Sequence, residues 1–252
     1  MYNKFRVKQL QQWKSIATQK VAGLLRQEVP RDWLVAEWLC NQTANDTAWF
    51  QSNWTMTWWV FTWVAEAAWY NKWYATFDWT WDYISFWDDA RLELATFSFS
   101  CWVNPNSTQN AYANIVDMAH NSSSWTSYWW AFEQNITTNN QYSFAVARWA
   151  SNWFDTILFT ISAATWTHIA CYYNDSTKNA NVYVNWVAVW AEQTFSSNTW
   201  LIYSTMSKYI ARWNGNTARD WNWKWCLYRY YNKQLTVKDF QLLYREWIKL
   251  LH

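Results

Sequence analysis

The sequence predicts an all-β chain: a two-sheet antiparallel jelly-roll sandwich with an N-terminal amphipathic helix and a short C-terminal helix. Three observations carry that prediction. The stretch 159–190, FTISAATWTHIACYYNDSTKNANVYVNWVAVW, reads as strand, strand, turn, strand. Within it 167–173 alternates apolar and polar residues, and 182–184 resumes that period after the polar break 174–181. From Asp32 onward about a dozen such short segments follow one another, separated by Asn/Ser/Thr-rich turns. Helical spacing is confined to the two ends, and 252 residues suit one large β domain with an appendage.

Residues 1–31 stand apart from the rest. Val7, Leu10, Trp13, Ala17, Val21 and Leu24 recur at helical spacing, with Lys4, Arg6, Lys8, Lys14, Lys20 and Arg26 on the remaining faces. With Arg31 these basic residues face a single acid, Glu28. A basic amphipathic helix can lie on a membrane or on nucleic acid, but packing on its own protein or on a neighbouring subunit is the expectation here. Pro30 ends the helix, and the sandwich is expected over 32–252. Its strands are expected at 32–39, 74–78, 82–85, 97–103, 115–119, 129–134, 142–148 and 156–161, then at the central hairpin, 200–204, 209–213 and 225–231. Pro105 closes the strand at 97–103, since proline cannot donate to a ladder. The closing helix has Thr236 as its cap, Asp239 three residues on as its capping partner, and Phe240, Leu243, Tyr244 and Trp247 on one face.

Composition sets further bounds. No run of eighteen apolar residues is present, so no membrane-spanning helix is expected. No signal-peptide pattern opens the chain, which fits a mature form, a virion component or a cytosolic protein equally. Cys40, Cys101, Cys171 and Cys226 are widely spaced without a C-x-x-C pair, so they read as small buried hydrophobes rather than metal ligands. One disulfide, Cys101 with Cys171, is the pairing expected of an extracellular form. The chain holds 28 Trp and 2 Gly, where glycine ordinarily supplies about 7% of residues. Turns of an all-β chain need positive φ, which glycine adopts freely and tryptophan resists.

The order of the motifs resembles the laminin-G-like domains, which are concanavalin A-like jelly rolls. Trp166-Thr167-His168-Ile169-Ala170 and Asn181-Val182-Tyr183-Val184-Asn185 are similar to that family's W-T-H-I-A-G-V-Y-D-G-S and V-Y-V-N-G-V. Phe97-Ser98-Phe99-Ser100-Cys101-Trp102-Val103 is similar to F-S-F-S-x-W-V, and 210–216 to I-G-R-x-x-G. Residues 227–236 resemble D-E-V-R-I-Y-N-R-A-L-T, the closing strand and cap, and the likeness covers about 32–245. Where the family has glycine this chain often has tryptophan, as in Asn53-Trp54-Thr55, Phe77-Asp78-Trp79-Thr80 and Asn185-Trp186-Val187. Two explanations stay open: a tryptophan-rich protein, or tryptophan letters that stand for glycine, as in a gene that reads UGA as glycine. An intact mass several kilodaltons below 30.6 kDa is the outcome expected of the second.

The resemblance implies a binding module rather than an enzyme. Hydrolases on this fold place an E-x-D-x-x-E cluster on one strand, one acid as nucleophile and one as acid/base. Glu37, Glu93, Glu133 and Glu192 each lack such neighbours, and His168 falls mid-strand, where a structural role is expected. Calcium is implied near the rim of the sandwich, with Asp46 and Asn53 as loop ligands. The family's acidic pair, which would be the partner of that loop, is replaced by Cys226-Leu227. Sugars are recognised by aromatic faces and by amide or guanidinium groups on hydroxyls. Trp125, Tyr128, Arg212, Asn214, Asn216 and Arg219 lie in expected loops and are the candidate ligand-binding residues. The expected function is a non-catalytic glycan- or surface-binding module of an extracellular, cell-surface or virion assembly. Its partners would be a glycan or surface polymer and further copies joined through the N-terminal helix, with no nucleic acid. The alternative is a purely structural subunit of a capsid, tail, filament or envelope, with a glycoside hydrolase least favoured.

Overall fold

The computed structural model describes residues 30–38, 55–57, 60–64, 72–78, 83–85, 90–107, 109–118, 130–135, 140–147, 154–197, 208–211 and 222–251. The helix expected in 1–31 and the strand expected at 200–204 fall outside these residues, apart from Pro30 and Arg31. The strands are β1 (Leu34–Trp38), β2 (Thr55–Thr57), β3 (Val60–Val64), β4 (Lys72–Asp78), β5 (Tyr83–Ser85), β6 (Thr96–Pro105), β7 (Asn114–Met118) and β8 (Trp130–Gln134). They continue with β9 (Gln141–Ala147), β10 (Phe154–Thr160), β11 (Thr167–Asn174), β12 (Asn179–Val184), β13 (Val187–Ala188), β14 (Gln193–Thr194), β15 (Tyr209–Ile210) and β16 (Asn222–Tyr231). Helix α1 (Val237–Leu251) closes the chain.

Among the described residues all pairings are antiparallel and make two sheets. One runs β13-β12-β11-β6-β16-β4-β3, with β1 added to β16 and β14 to β12; the other runs β10-β9-β8-β7-β15-β5-β2. The expected hairpin is present: β11 and β12 pair from Ile169↔Val184 to Asn174↔Asn179, so the turn is shorter than the polar break read from sequence. Asn174 Oδ1 accepts from the Ser176 and Thr177 amides, an Asx arrangement that lets the strand resume at Asn179. Pro105 is the last residue of β6, as its missing N–H requires.

Alternation sends Phe97, Phe99, Cys101 and Val103 of β6 inward, where they meet Trp130 and Phe132 of β8 and Phe144 of β9. Phe97 stacks on Trp130 at 4.7 Å. The polar tips of Trp130 and Tyr230 are satisfied: Trp130 Nε1 donates to the Tyr230 hydroxyl, which donates to the Leu92 carbonyl. Cys171 is a buried free thiol. The expected Cys101–Cys171 disulfide is therefore absent. The register explains why: Cys101 faces Ile169 and Cys171 faces Phe99, so the two cysteines sit diagonally. Diagonal neighbours lie about 7–8 Å apart, beyond the reach of a disulfide.

Helix α1 covers the outer face of the larger sheet. Thr236 and Asp239 form the expected capping pair, the Asp239 carboxylate accepting from the Thr236 amide at 2.8 Å and the Thr236 hydroxyl accepting from the Asp239 amide. The segment ahead of it is seated by Ser98, whose hydroxyl donates to the Lys233 carbonyl and accepts from the Leu235 amide. Phe240 and Leu243 then pack on Leu34, Ala170, Tyr172, Tyr183, Tyr231 and Leu235. Beneath the next turn of the helix lies an ionic cluster. Arg229 Nε donates to Glu37 Oε1 at 2.8 Å, its Nη1 is 2.6 Å from Glu246 Oε2, and Arg31 also donates to Glu37.

Two kinds of tryptophan stand out among the described residues. Trp102, Trp130 and Trp225 are buried within strands, where a large apolar side chain belongs. Trp33 and Trp186 have φ of 68° and 64°, in the left-handed region. Asn185 (φ 49°) and Trp186 are the two central residues of the tight β12–β13 turn, closed by the Val184↔Val187 pair. A two-residue turn with both φ positive is the type I′ turn that Asn-Gly makes best. Left-handed backbone costs a residue with Cβ about 1–2 kcal/mol, partly offset by the entropy glycine loses on folding. Trp186→Gly is therefore expected to stabilise the protein by roughly 1 kcal/mol, read as a rise of about 2–4 °C in Tm. A fall in Tm would show that the Trp186 ring supplies packing its exposure does not suggest.

The open edges are short or covered. Trp190 Nε1 donates to the Leu158 carbonyl at 3.0 Å, so the 189–196 segment caps the outer edge of β10.

Candidate functional site

The end of the sandwich at which β6 finishes gathers most of the left-handed turns. Pro105, the start of β7 at Asn114, the end of β8 at Gln134, the start of β9 at Gln141 and the start of β11 at Thr167 all lie there, as their registers require. Tyr112 (φ 58°), Asn140 (φ 64°), Ala164 (φ 53°), Trp186 and Ala211 (φ 66°) shape the turns at this rim. The Ala164 amide donates to the Pro105 carbonyl at 2.7 Å and ties the β10–β11 connection to the tip of β6. The Ala211 amide donates to the Ile115 carbonyl at 3.1 Å, so the β15–β16 connection leaves the sandwich beside Asn114.

The side-chain acceptors at this rim that are buried without a donor among the described residues include Asn114 Oδ1 and Asn140 Oδ1. Asn114 is 1% exposed, and its amide nitrogen donates to the Tyr112 carbonyl, which fixes the orientation of the group. A buried acceptor left unmade costs about 1–3 kcal/mol, a cost that a hydroxyl brought against it would relieve. Sequence reasoning missed both asparagines. Nothing distinguishes Asn114 in a chain so rich in Asn, because its burial comes from strands distant in sequence.

The candidates named from sequence, Trp125, Tyr128, Arg212, Asn214, Asn216 and Arg219, lie outside the described residues, as do Asp46 and Asn53. Their flanking strands are described and separate them. The connection carrying Arg212 to Arg219 leaves at Ala211 and returns at Asn222, which pairs with Asp78 next to the Trp223↔Pro105 pair, at the rim just described. The connection carrying Trp125 and Tyr128 leaves at Met118 and returns at Trp130, which stacks on Phe97 near the start of β6. Ten residues of β6 span about 30 Å, so the two sets depart from opposite ends.

The candidate acids occupy structural positions. Glu37 is fully buried against Arg229 and Arg31, and Glu93 pairs with Lys208 at 2.9 Å. Glu192 accepts from the Tyr172 hydroxyl and from Asn179 Nδ2. His168 is buried on the outer face between Trp102 and Tyr244, and burial, with the Arg229 charge second, lowers its pKa to about 3. Packed between aromatic rings under a helix, the imidazole has no open face for a substrate. Among the described residues no group of three or more His, Cys, Asp or Glu side chains stands together to hold a metal. Cys226 and Leu227, at the place of the family's acidic pair, are buried in β16 and offer no oxygen ligand, so that half of the implied calcium set does not fit.

The family model described as the concanavalin A-like lectin/glucanases superfamily, of laminin-G type, matches residues 78–240. Among solved structures, the binding domain of a paraclostridial mosquitocidal protein superposes with a TM-score of 0.68 at 11% identity, over 86% of this chain and 53% of that one. A botulinum neurotoxin type C structure, from work on cell entry dependent on two ganglioside molecules, gives 0.59 at 13% identity, over 85% and 51%. The binding domain of botulinum neurotoxin DC in complex with SialylT gives 0.60 at 14%, over 85% and 52%. At such identities the likeness is one of fold, and the chain spans about half the length of those domains. A search of curated protein sequences finds no match.

Proposed function

Because the chain belongs to the concanavalin A-like lectin/glucanase superfamily, matched over residues 78–240, we propose that it is a non-catalytic module binding glycans on an extracellular surface. The observation that carries this reading is the rim at the end of β6, where Asn114 and Asn140 hold buried acceptor oxygens without a donor among the described residues. The connection with Arg212, Asn214, Asn216 and Arg219 departs from the same rim, and guanidinium and amide groups are what sugar hydroxyls and sialyl carboxylates require. Fold relatives that engage gangliosides or a sialyl compound support the ligand class.

A glycan array that includes gangliosides tests it. Arg212→Ala and Asn214→Ala are each expected to weaken binding about tenfold, the equivalent of 1.4 kcal/mol, with Tm unchanged. Trp125→Ala with Tyr128→Ala should leave binding intact, since those residues are carried from the opposite end. Loss of binding in that second pair alone would move the site to the other rim. An array with no bound glycan, together with an ordered homo-oligomer that needs residues 1–31, would favour the purely structural subunit.

A further inference from the structure

Helix α1 rests on a buried imidazole, that of His168. His168 is 1% exposed, on the outer face of β11. Its ring lies 5.4 Å from that of Trp102 on β6 and 6.1 Å from that of Tyr244 on α1, and Tyr244 also stacks on Trp102 at 5.4 Å. Tyr244 is thus the lid over the imidazole. The His168 amide is held by Asn185 Oδ1, but Nδ1 has no hydrogen-bonding partner among the described residues. The charged and titratable groups around it are Arg229 and Tyr231 on β16, Glu37 on β1 with Arg31 beside it, and Glu246 and Tyr244 on α1. Arg229 and the part-exposed Arg31 pair with Glu37 and Glu246, and the buried Arg229 guanidinium is the charge that opposes a proton on His168.

We propose that α1 is an acid-released cover, undocking from the larger sheet when His168 takes up a proton and uncovering the apolar face of Leu34, Ala170, Tyr172, Tyr183, Tyr231 and Leu235. A proton on His168 would sit desolvated, beside the Arg229 guanidinium, with no acceptor for the new N–H; lifting α1 gives the ring water. The direction follows from linkage. The imidazole has a pKa of about 3 under the helix and about 6.5 in water, so the docked state binds fewer protons than the released one. Docking is fully favoured above pH 6.5 and loses ground as pH falls from 6.5 toward 3. At pH 5 the docking equilibrium shifts about 30-fold toward release.

Hydrogen exchange of the full chain, corrected for intrinsic rates, tests this. Protection of the α1 amides should fall about 30-fold between pH 7.5 and pH 5, while amides of β6 and β11 keep theirs. His168→Gln should flatten the dependence, and Glu246→Gln should retain it. Unchanged α1 protection, equal loss in β6 and β11, or an acid response that survives His168→Gln but vanishes in Glu246→Gln overturns the proposal. Should His168→Gln fail to fold, the imidazole resonances of the wild-type protein decide. With three histidines in the chain, one ring should stay neutral to well below pH 6 while α1 is docked, and an ordinary midpoint for all three overturns the assignment.

Discussion

Arg229→Met is expected to cost about 3–5 kcal/mol of stability, the loss found when one partner is removed from a buried ion pair. Arg229 is 1% exposed and serves two carboxylates, Glu37 at 0% and Glu246 at 5%. Methionine fills much of the guanidinium stem's volume, so the loss is chiefly that of two buried carboxylates without their cation. Urea unfolding should show a lower midpoint with an unchanged slope. Desolvation disfavours the ionised form, so acid should relieve the variant. Its deficit is present above the ordinary carboxylate range near pH 4.3 and shrinks as pH falls into it. Replacing Arg229, Glu37 and Glu246 together with apolar residues of similar volume should recover most of the loss, because no buried charge then remains. A single-variant loss under 1 kcal/mol would mean that water reaches the cluster beneath α1.

Phe97→Ala should cost about 3–5 kcal/mol, the transfer energy of the ring plus the cavity it leaves. Phe97 is where the two sheets meet. It stacks on Trp130 at 4.7 Å and touches Phe144 at 6.3 Å, Tyr173 at 6.2 Å and Tyr230 at 5.5 Å, on β8, β9, β11 and β16. Those neighbours are themselves large rings tied into separate strands, so the site cannot collapse to fill the space. Val187→Ala, on an exposed strand at the sheet edge, should by contrast stay within about 0.5 kcal/mol. Equal losses at the two positions would show that the inter-sheet core is not what holds the sandwich together.

Much of the architecture was legible in the sequence. The β11–β12 hairpin, the stop at Pro105, the Asn185-Trp186 turn and the Thr236/Asp239 cap each rest on residues within a few positions of one another. The candidate site was legible only as a class of residues. Arg212 and Trp125 look equally suited to a sugar when read as loop residues, and only the strand registers assign their connections to opposite ends. The Asn114 acceptor had no sequence signal, since β8, which pairs with it at Glu133, and the turn at Ala211 are distant in the chain.

By itself the sequence determined the alternating strands, their turns, the capped helix and membership of the jelly-roll family, because period-two burial and turn chemistry are local properties of the chain. What only the tertiary structure decided is which side chains meet. In β16 the partner on β6 advances by two residues, from Trp102 to Ser100, while β16 advances by three, from Cys226 to Arg229. That extra residue, with Leu227 at φ 51°, is a bulge. Unbroken alternation would have put Arg229 on the same face as Trp225, inside the core. The bulge reverses the alternation, places Tyr228 and Tyr230 inward, and delivers Arg229 to the outer face. There it meets Glu37, 192 residues away in the chain, and Glu246 on α1. A bulge forms because both neighbouring strands accept the slip, and that consent lies in strands the local sequence does not contain.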